Sequence, residues 1–305
     1  MVVISGPKKF LLLFFLSIFL YGIFHWEVIF TGLQHSFYKL RNYGKNSSES
    51  KIDTFSFNSN SYAGLQKEAK VYLPKVYFEE SDKQYPVLYL LHGFPGSDID
   101  WLINADLQNK LDELVVSNKL PALIAVFPDG NGPIVKDSQY LNATTKINQL
   151  AEDYILELME KIDASYRTLD KRESRAIGGI SAGAYGAMNV GLHHNDKFGI
   201  IISHSGYFIN NESITKKLIN SDDFSANNPL EYLPNSELNP KTYIYFDIGE
   251  KDNKGYINQN QKLDEILRQK GIEHEFKITS GWHDWEVWRR NISFSLEFLG
   301  KYLEF

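Results

Sequence analysis

The 305-residue chain contains no cysteine. That absence excludes disulfides, thiolate nucleophiles, thiolate metal sites and lipid modification of an N-terminal cysteine. An excess of basic charge is missing too. The formal net charge is −6, so there is no electrostatic footprint for a nucleic-acid partner. No run of His, Asp and Glu has metal-ligand spacing, and neither a metal nor another cofactor is expected. Internal repeats are also absent. What remains is a chain with 43% hydrophobic and 23% charged residues, long enough for one sizeable core. Its 20 Phe, 18 Tyr and 5 Trp can fill that core, with some left to line a cleft.

The N-terminus differs from the rest. After Lys8 and Lys9 comes "FLLLFFLSIFLYGIF", residues 10–24, with further apolar residues at 28–30. This run suits a signal-peptide core, whereas a full membrane span wants about 20 residues. Bulky Trp26, Val28, Ile29 and Phe30 occupy the zone where small residues would mark cleavage. The expectation is therefore a hydrophobic helix in residues 1–30 acting as an uncleaved membrane anchor, basic end inside and the folded part outside the cytoplasm. A cleaved signal peptide is the second reading, and a buried helix the third. Residues 31–52, including "LRNYGKNSSESK", are polar and without apolar period, as in a linker.

From residue 53 to 305 the pattern is that of one domain. "DTFSFNSN" and "EAKVYLP" read as two half-alternating opening strands. "VLYLL" (87–91) is continuously apolar, as in a strand covered on both faces, and it runs into "HGFPGSDIDW". Leu107, Leu111, Leu114 and Val115 have helical spacing. Strand and helix then alternate: "PALIAVFPDGNG", "TTKINQLAEDYILELMEKIDASY", "RAIGGIS", "AYGAMNVGLHHN", "FGIIISHSG". A polar, proline-bearing excursion over 209–241 interrupts the rhythm. It resumes with "TYIYFDIG", a helix ending at Gly271, "HEFKITS" and a closing helix from "DWEVW". Alternation of this kind predicts crossover units and a mostly parallel sheet flanked by helices.

Within it, Gly179-Ile180-Ser181-Ala182-Gly183 fits the G-x-S-x-G turn and falls between an apolar strand and a small-residue helix. A sharp turn there lifts the Ser181 hydroxyl above the sheet, and the new helix offers free N–H groups beside it. An alkoxide needs a base, and the base an orienting carboxylate, in chain order Ser, acid, His. His283, in "TSGWHDWEVW", follows the last strand and suits the base. His193 and His194 lie at the far end of a helix, His204 precedes every plausible acid, and His274 opens its strand at the wrong edge. Asp252, on the loop after "YIYFDIG", is preferred as the acid over Asp247 within the strand, with Glu250 third. The developing oxyanion needs backbone donors: Ala182 after the nucleophile, and Phe94 in the "HGF" loop, where Gly93 makes room. His92 reads as a brace for that loop.

These ordered motifs resemble the α/β-hydrolase superfamily and, within it, the putative-esterase family that includes esterase D, feruloyl esterases and the antigen 85 mycolyltransferases. The resemblance covers residues 53–303 and rests on "VYLP", "YPVLYLLHGFPGSDIDW", "AVFPDGNG", "AIGGISAGAYGAMNVGLHHNDKFG", "SHSG", "DIGEKD" and "GWHDWEVWRRN". Relatives often carry a second glycine where Ala184 stands and a proline where Asn195 stands. The resemblance implies an α/β-hydrolase fold, Ser181, Asp252 and His283 as nucleophile, acid and base, and Phe94 and Ala182 as the oxyanion positions. It implies a serine carboxylic-ester hydrolase working through an acyl-enzyme. The alternatives are an acyltransferase moving an acyl group to a sugar or envelope acceptor and a non-catalytic tethered binding module. Trp101, Tyr140, Phe208, Trp282 and Trp285 fall on loops at the strand ends and are candidate substrate contacts. With the exterior placement, an ester linked to carbohydrate or cell envelope is favoured over the S-formylglutathione that some relatives cleave.

Overall fold

The computed structural model describes residues 50–209 and 215–305. They form a mixed, mostly parallel eight-stranded sheet flanked by helices, with strand order β1-β2-β4-β3-β5-β6-β7-β8. The strands are β1 Lys51–Ser59, β2 Leu65–Leu73, β3 Val87–Leu91, β4 Ile124–Pro128, β5 Arg175–Ile180, β6 Ile200–His204, β7 Tyr243–Gly249 and β8 His274–Thr279. β1 and β2 are antiparallel to their neighbours, and β3 through β8 are mutually parallel. Burial explains the sequence pattern. Central β3, β4, β5 and β6 are buried along their whole length; β3 and β4 are continuously apolar, and β5 and β6 carry polar residues only at an end, whereas edge strand β1 is mostly open to solvent and polar at alternate positions.

Among the described residues five helices of ten or more residues cover the sheet: α1 Leu107–Val116, α2 Ala151–Ser165, α3 Ala182–His193, α4 Lys254–Lys270 and α5 Trp285–Tyr302. Tyr154, Ile155 and Leu158 of α2, Met188 of α3 and Leu263 of α4 join Tyr89, Val126, Ile177 and Phe246 of the sheet in one core. α5 packs on β6 and β7, and Lys119 of the turn after α1 reaches Glu297 of α5 at 2.9 Å. Because β3, β5, β7 and β8 run parallel, their C-terminal ends open on one edge. The loops after them meet there, the usual place for a site in such a sheet.

One element differs from expectation. α2 begins at Ala151, not near Thr144. Residues 142–150 instead fold back through an antiparallel bridge between Asn142 and Leu150, and Leu218 O accepts from the N–H of Thr144 and Thr145. Asn142 Oδ1 then accepts from the N–H of Glu152 and Asp153 at 3.1 and 3.0 Å, a cap supplied from outside the helix. α3 begins at Ala182, immediately after Ser181, which puts its free N–H groups beside the serine as the strand-turn-helix pattern predicts.

The expected membrane attachment requires correction. Among the described residues no helix is long and apolar enough to cross a membrane. Residues 1–30, on which the hydrophobic helix and anchor or signal were placed, and most of the 31–52 linker lie outside the described residues. Among the described residues the structure thus supplies no spanning element to support a membrane partner, a single N-terminal anchor or an exterior placement.

Candidate active site

Ser181 sits at the β5–α3 turn with φ 52° and ψ −117°, a conformation that a side chain enters only under strain. Two glycines make the turn possible. A Cβ on Gly179 would lie 2.4 Å from the backbone of Gly183, and one on Gly183 would lie 2.4 Å from His92 O and 2.6 Å from Leu91 O. The serine turn and the loop after β3 are therefore pressed backbone to backbone. The Ser181 N–H donates to His204 O of neighbouring β6 at 3.0 Å, which fixes the turn to the sheet.

The loops after β7 and β8 are fastened in the same way. A Cβ on Gly249 would stand 2.5 Å from Gly281 O. Lys251 N–H donates to that same carbonyl at 2.9 Å, and Glu250 N–H donates to Thr279 O at 2.7 Å. This zipper carries Asp252 and His283 to each other. The Ser181 hydroxyl donates to His283 Nε2 at 2.8 Å, and His283 Nδ1–H donates to Asp252 Oδ2 at 2.8 Å. The Asp252 side chain is 1% exposed, and its Oδ1 accepts from Asn253 N–H at 2.6 Å. A buried carboxylate with one oxygen occupied presents the other to the imidazole, fixing the Nδ1–H tautomer and leaving Nε2 as acceptor for the serine proton. The imidazole is backed by Trp288, edge to face at 5.2 Å and 87°.

Asp247 is engaged elsewhere. Its Oδ2 accepts from His204 Nδ1 at 2.8 Å, while His204 Nε2 meets Ser295 Oγ at 3.0 Å, and both residues are fully buried. This pair lies within the sheet, on adjacent β6 and β7. Glu250 is exposed, with its N–H committed to the zipper.

Phe94 and Ala182 line a small recess beside Ser181 together with His92 and Tyr140. Among the described residues no acceptor takes up the N–H of Phe94 or of Ala182, so both donors remain available to a ligand. His92 holds the loop between them: its Nδ1–H donates to Gly93 O at 2.7 Å, and its Nε2 accepts from Gly130 N–H at 2.9 Å. Tyr140 OH donates to His92 O at 3.0 Å.

The cleft next to the serine is lined by Gly93, Phe94, Pro95, Asp100, Ile180, Ser181, His283, Asp284, Trp285 and Trp288. Of the five aromatics singled out in the sequence, Trp285 is on this wall and Tyr140 on the recess. Trp101 and Phe208 are buried. Trp101 donates from Nε1 to Leu91 O at 3.1 Å and supports Trp285 edge to face at 5.5 Å, whereas Phe208 packs on Phe246 in the core. Trp282 is exposed, with the Lys251 ammonium 5.9 Å from its ring centre. The sequence reasoning overlooked Trp288, Asp100 and the Phe94 side chain. Trp288 stands three residues after Trp285 on α5, a spacing that puts both rings on one helical face and was there to be read.

Fold and site together define a serine-hydrolase-type α/β-hydrolase. Comparison with known proteins refines that class. The model of the putative esterase family matches residues 61–299, and the chain belongs to that family. It is 28% identical over 275 residues to an acetyl esterase of Caldicellulosiruptor saccharolyticus, covering 79% of this chain and 97% of that protein. It is 26% identical over 255 residues to an endo-1,4-beta-xylanase/feruloyl esterase of Xylanibacter ruminicola, covering 81% of this chain but 31% of that longer protein. Among solved structures, a ferulic acid esterase superposes with TM-score 0.73 at 25% identity, covering 84% of this chain and 99% of that one. The protein is an esterase of the serine-hydrolase type.

Proposed function

We propose that Ser181, His283 and Asp252 are the nucleophile, general base and orienting acid of a carboxylic-ester hydrolase, with Phe94 and Ala182 as its oxyanion donors. The observation that carries this is the hydrogen-bonded chain Ser181 Oγ, His283 Nε2, His283 Nδ1, Asp252 Oδ2, with both links at 2.8 Å, ending at a strained turn beside two free backbone donors. His283 Nε2 takes the serine proton as Oγ attacks the ester carbonyl. Charge develops on the carbonyl oxygen, where preorganised N–H donors are worth roughly 2.7–4 kcal/mol each. The imidazolium gives its proton to the leaving alcohol, and the ester C–O bond breaks to leave an acyl-enzyme. Water then attacks the acyl-enzyme with His283 again as base, releasing the acid and restoring Ser181. Asp252 stays ionised and stabilises the imidazolium formed in each half-reaction.

For the acyl group, acetyl and feruloyl esters are the natural first substrates, since the relatives reported above are named for them. p-Nitrophenyl acetate is expected to turn over, and Ser181→Ala to abolish turnover with an unchanged circular dichroism spectrum. A folded Ser181→Ala protein with wild-type turnover would refute the assignment. With glucose or cellobiose added, free acetate is expected as the product. Acetylated sugar would move the reading to acyl transfer.

A further inference from the structure

The cleft beside Ser181 has a volume of about 330 Å³. One wall is aromatic, built by Phe94, Trp285 and Trp288. The cleft also contains a carboxyl group that the proposed reaction does not use, Asp100. This residue is only 6% exposed, yet it forms part of the lining. Its hydrogen-bond donors among the described residues both come from Ser97, the hydroxyl, which reaches Oδ1 at 3.2 Å, and the backbone N–H. Its Oδ2 lies against Gly96, where a Cβ would stand 2.5 Å away, so any other residue there would displace the oxygen. The backbone is held as well, since the next residue, Trp101, is tied to Leu91 O of β3.

The surroundings set what such a group can recognise. No lysine or arginine lines the cleft among the described residues. The other carboxyl there, Asp284, caps α5: its Oδ1 accepts from the N–H of Glu286 and Val287, which fixes the direction of the group. Burial pushes the Asp100 carboxyl up, against the pull of His92 and the Ser97 hydrogen bonds. A carboxyl served by one neighbouring residue in a poorly solvated wall has lone pairs left to gain from a ligand hydroxyl and is penalised by a ligand of like charge.

We propose that Asp100 is a specificity residue that accepts a hydrogen bond from a hydroxyl group on a ring held against Trp285 and Trp288, and that it disfavours esters bringing a carboxylate to the same place. The proposal rests on the reading of Ser181 as nucleophile, because the cleft is where the ester must lie. It selects hydroxylated, uncharged ring-bearing esters, with the ring on either side of the ester bond.

Two matched series test it. One carries the ring on the alcohol: tyrosol acetate, phenethyl acetate and para-carboxyphenethyl acetate. The other carries it on the acyl group: methyl esters of para-hydroxyphenylpropanoic, phenylpropanoic and para-carboxyphenylpropanoic acids. In one of the series, wild-type kcat/KM is expected to be about 10-fold or more higher for the hydroxylated ester than for the unsubstituted one, and lowest for the carboxylated ester. In Asp100→Ala the hydroxyl preference falls to about one, and in Asp100→Asn the carboxylate penalty shrinks, whatever the absolute rates. Flat wild-type preferences in both series, or preferences unchanged in the variants, overturn the proposal. Folding of the Asp100 variants is not required for a second measurement. Tryptophan fluorescence titration of Ser181→Ala should rank the same ligands hydroxylated, unsubstituted, carboxylated, and a different ranking counts against Asp100. Failure of the nucleophile reading shows itself separately, as turnover retained by Ser181→Ala.

Discussion

The strain at Ser181 can be measured by replacing the residue in two ways. Both Ser181→Ala and Ser181→Gly lose the hydroxyl and its hydrogen bond to His283, so that loss cancels in their difference. They differ in how they tolerate φ 52° and ψ −117°. A residue with a Cβ held there costs of order 1–3 kcal/mol, which glycine avoids. Glycine's extra freedom in the unfolded chain takes back about 0.5–1 kcal/mol. The net expectation is that Ser181→Gly is the more stable by about 1 kcal/mol, or about 2–4 °C in Tm for a domain of this size. Thermal unfolding of the two variants in one buffer, followed by circular dichroism, reads the difference. Gly271, at the C-terminus of α4 with φ +66° and nothing within 4 Å of a built Cβ, is the control. There Gly271→Ala should destabilise by about 1 kcal/mol through backbone strain alone. A Ser181→Gly variant no more stable than Ser181→Ala would refute the strained-turn argument.

The two aspartates should separate by phenotype. Asp252→Asn is expected to lower kcat on p-nitrophenyl acetate by about 10³–10⁴-fold with little change in Tm, since the imidazole loses its tautomer control. Asp247→Ala is expected to cost roughly 1–3 kcal/mol in urea unfolding, as it leaves the fully buried His204 Nδ1–H without its acceptor. Glu152 predicts a pH effect on stability. Burial pushes its carboxyl up, but hydrogen bonds from His193 and His194, each at 2.9 Å, outweigh that and hold it at about 2, below its ordinary 4.5. A depressed carboxyl stabilises the fold above its unfolded pKa and loses that contribution as pH falls from about 4.5 towards about 2, roughly 3 kcal/mol in all. His193 is raised above 6.5: burial lowers it, but Glu152 and the Ala226 carbonyl outweigh that, so its share is present below 6.5 and fades as pH rises through its folded value. Urea unfolding of wild type and Glu152→Gln at several pH values should converge in acid, and a constant gap would contradict the assignment.

Much of the architecture is legible in the sequence because each strand's environment leaves a mark. Val87–Leu91 and Ile124–Pro128 are unbroken apolar runs since both faces of the central sheet are covered, and β1 is polar at alternate positions since it is an edge. The order of Ser181, Asp252 and His283 is legible for a similar reason: each follows a strand of one parallel sheet, so their loops must share an edge. The start of α2 was not legible, because its cap is the side chain of Asn142, and the preceding turn is fixed by Leu218, distant in sequence. The five aromatics show the same limit. Position on a loop near the strand ends did not distinguish Trp285, on the cleft wall, from Trp101, one layer behind it. Nor did it distinguish Asp100, in the cleft, from neighbouring Asp98, which pairs with Lys70 at 3.2 Å. Side-chain direction in a tight turn depends on backbone angles that adjacent letters do not reveal.

The central claim is that Ser181 is the nucleophile, activated by His283. Covalent labelling tests it without any assumption about substrate. A fluorophosphonate reagent, followed by intact mass and peptide mapping, is expected to add one phosphonyl group per chain, on Ser181, with slower labelling of His283→Ala and none of Ser181→Ala. Labelling at another residue, or persisting in a folded Ser181→Ala protein, would contradict the account.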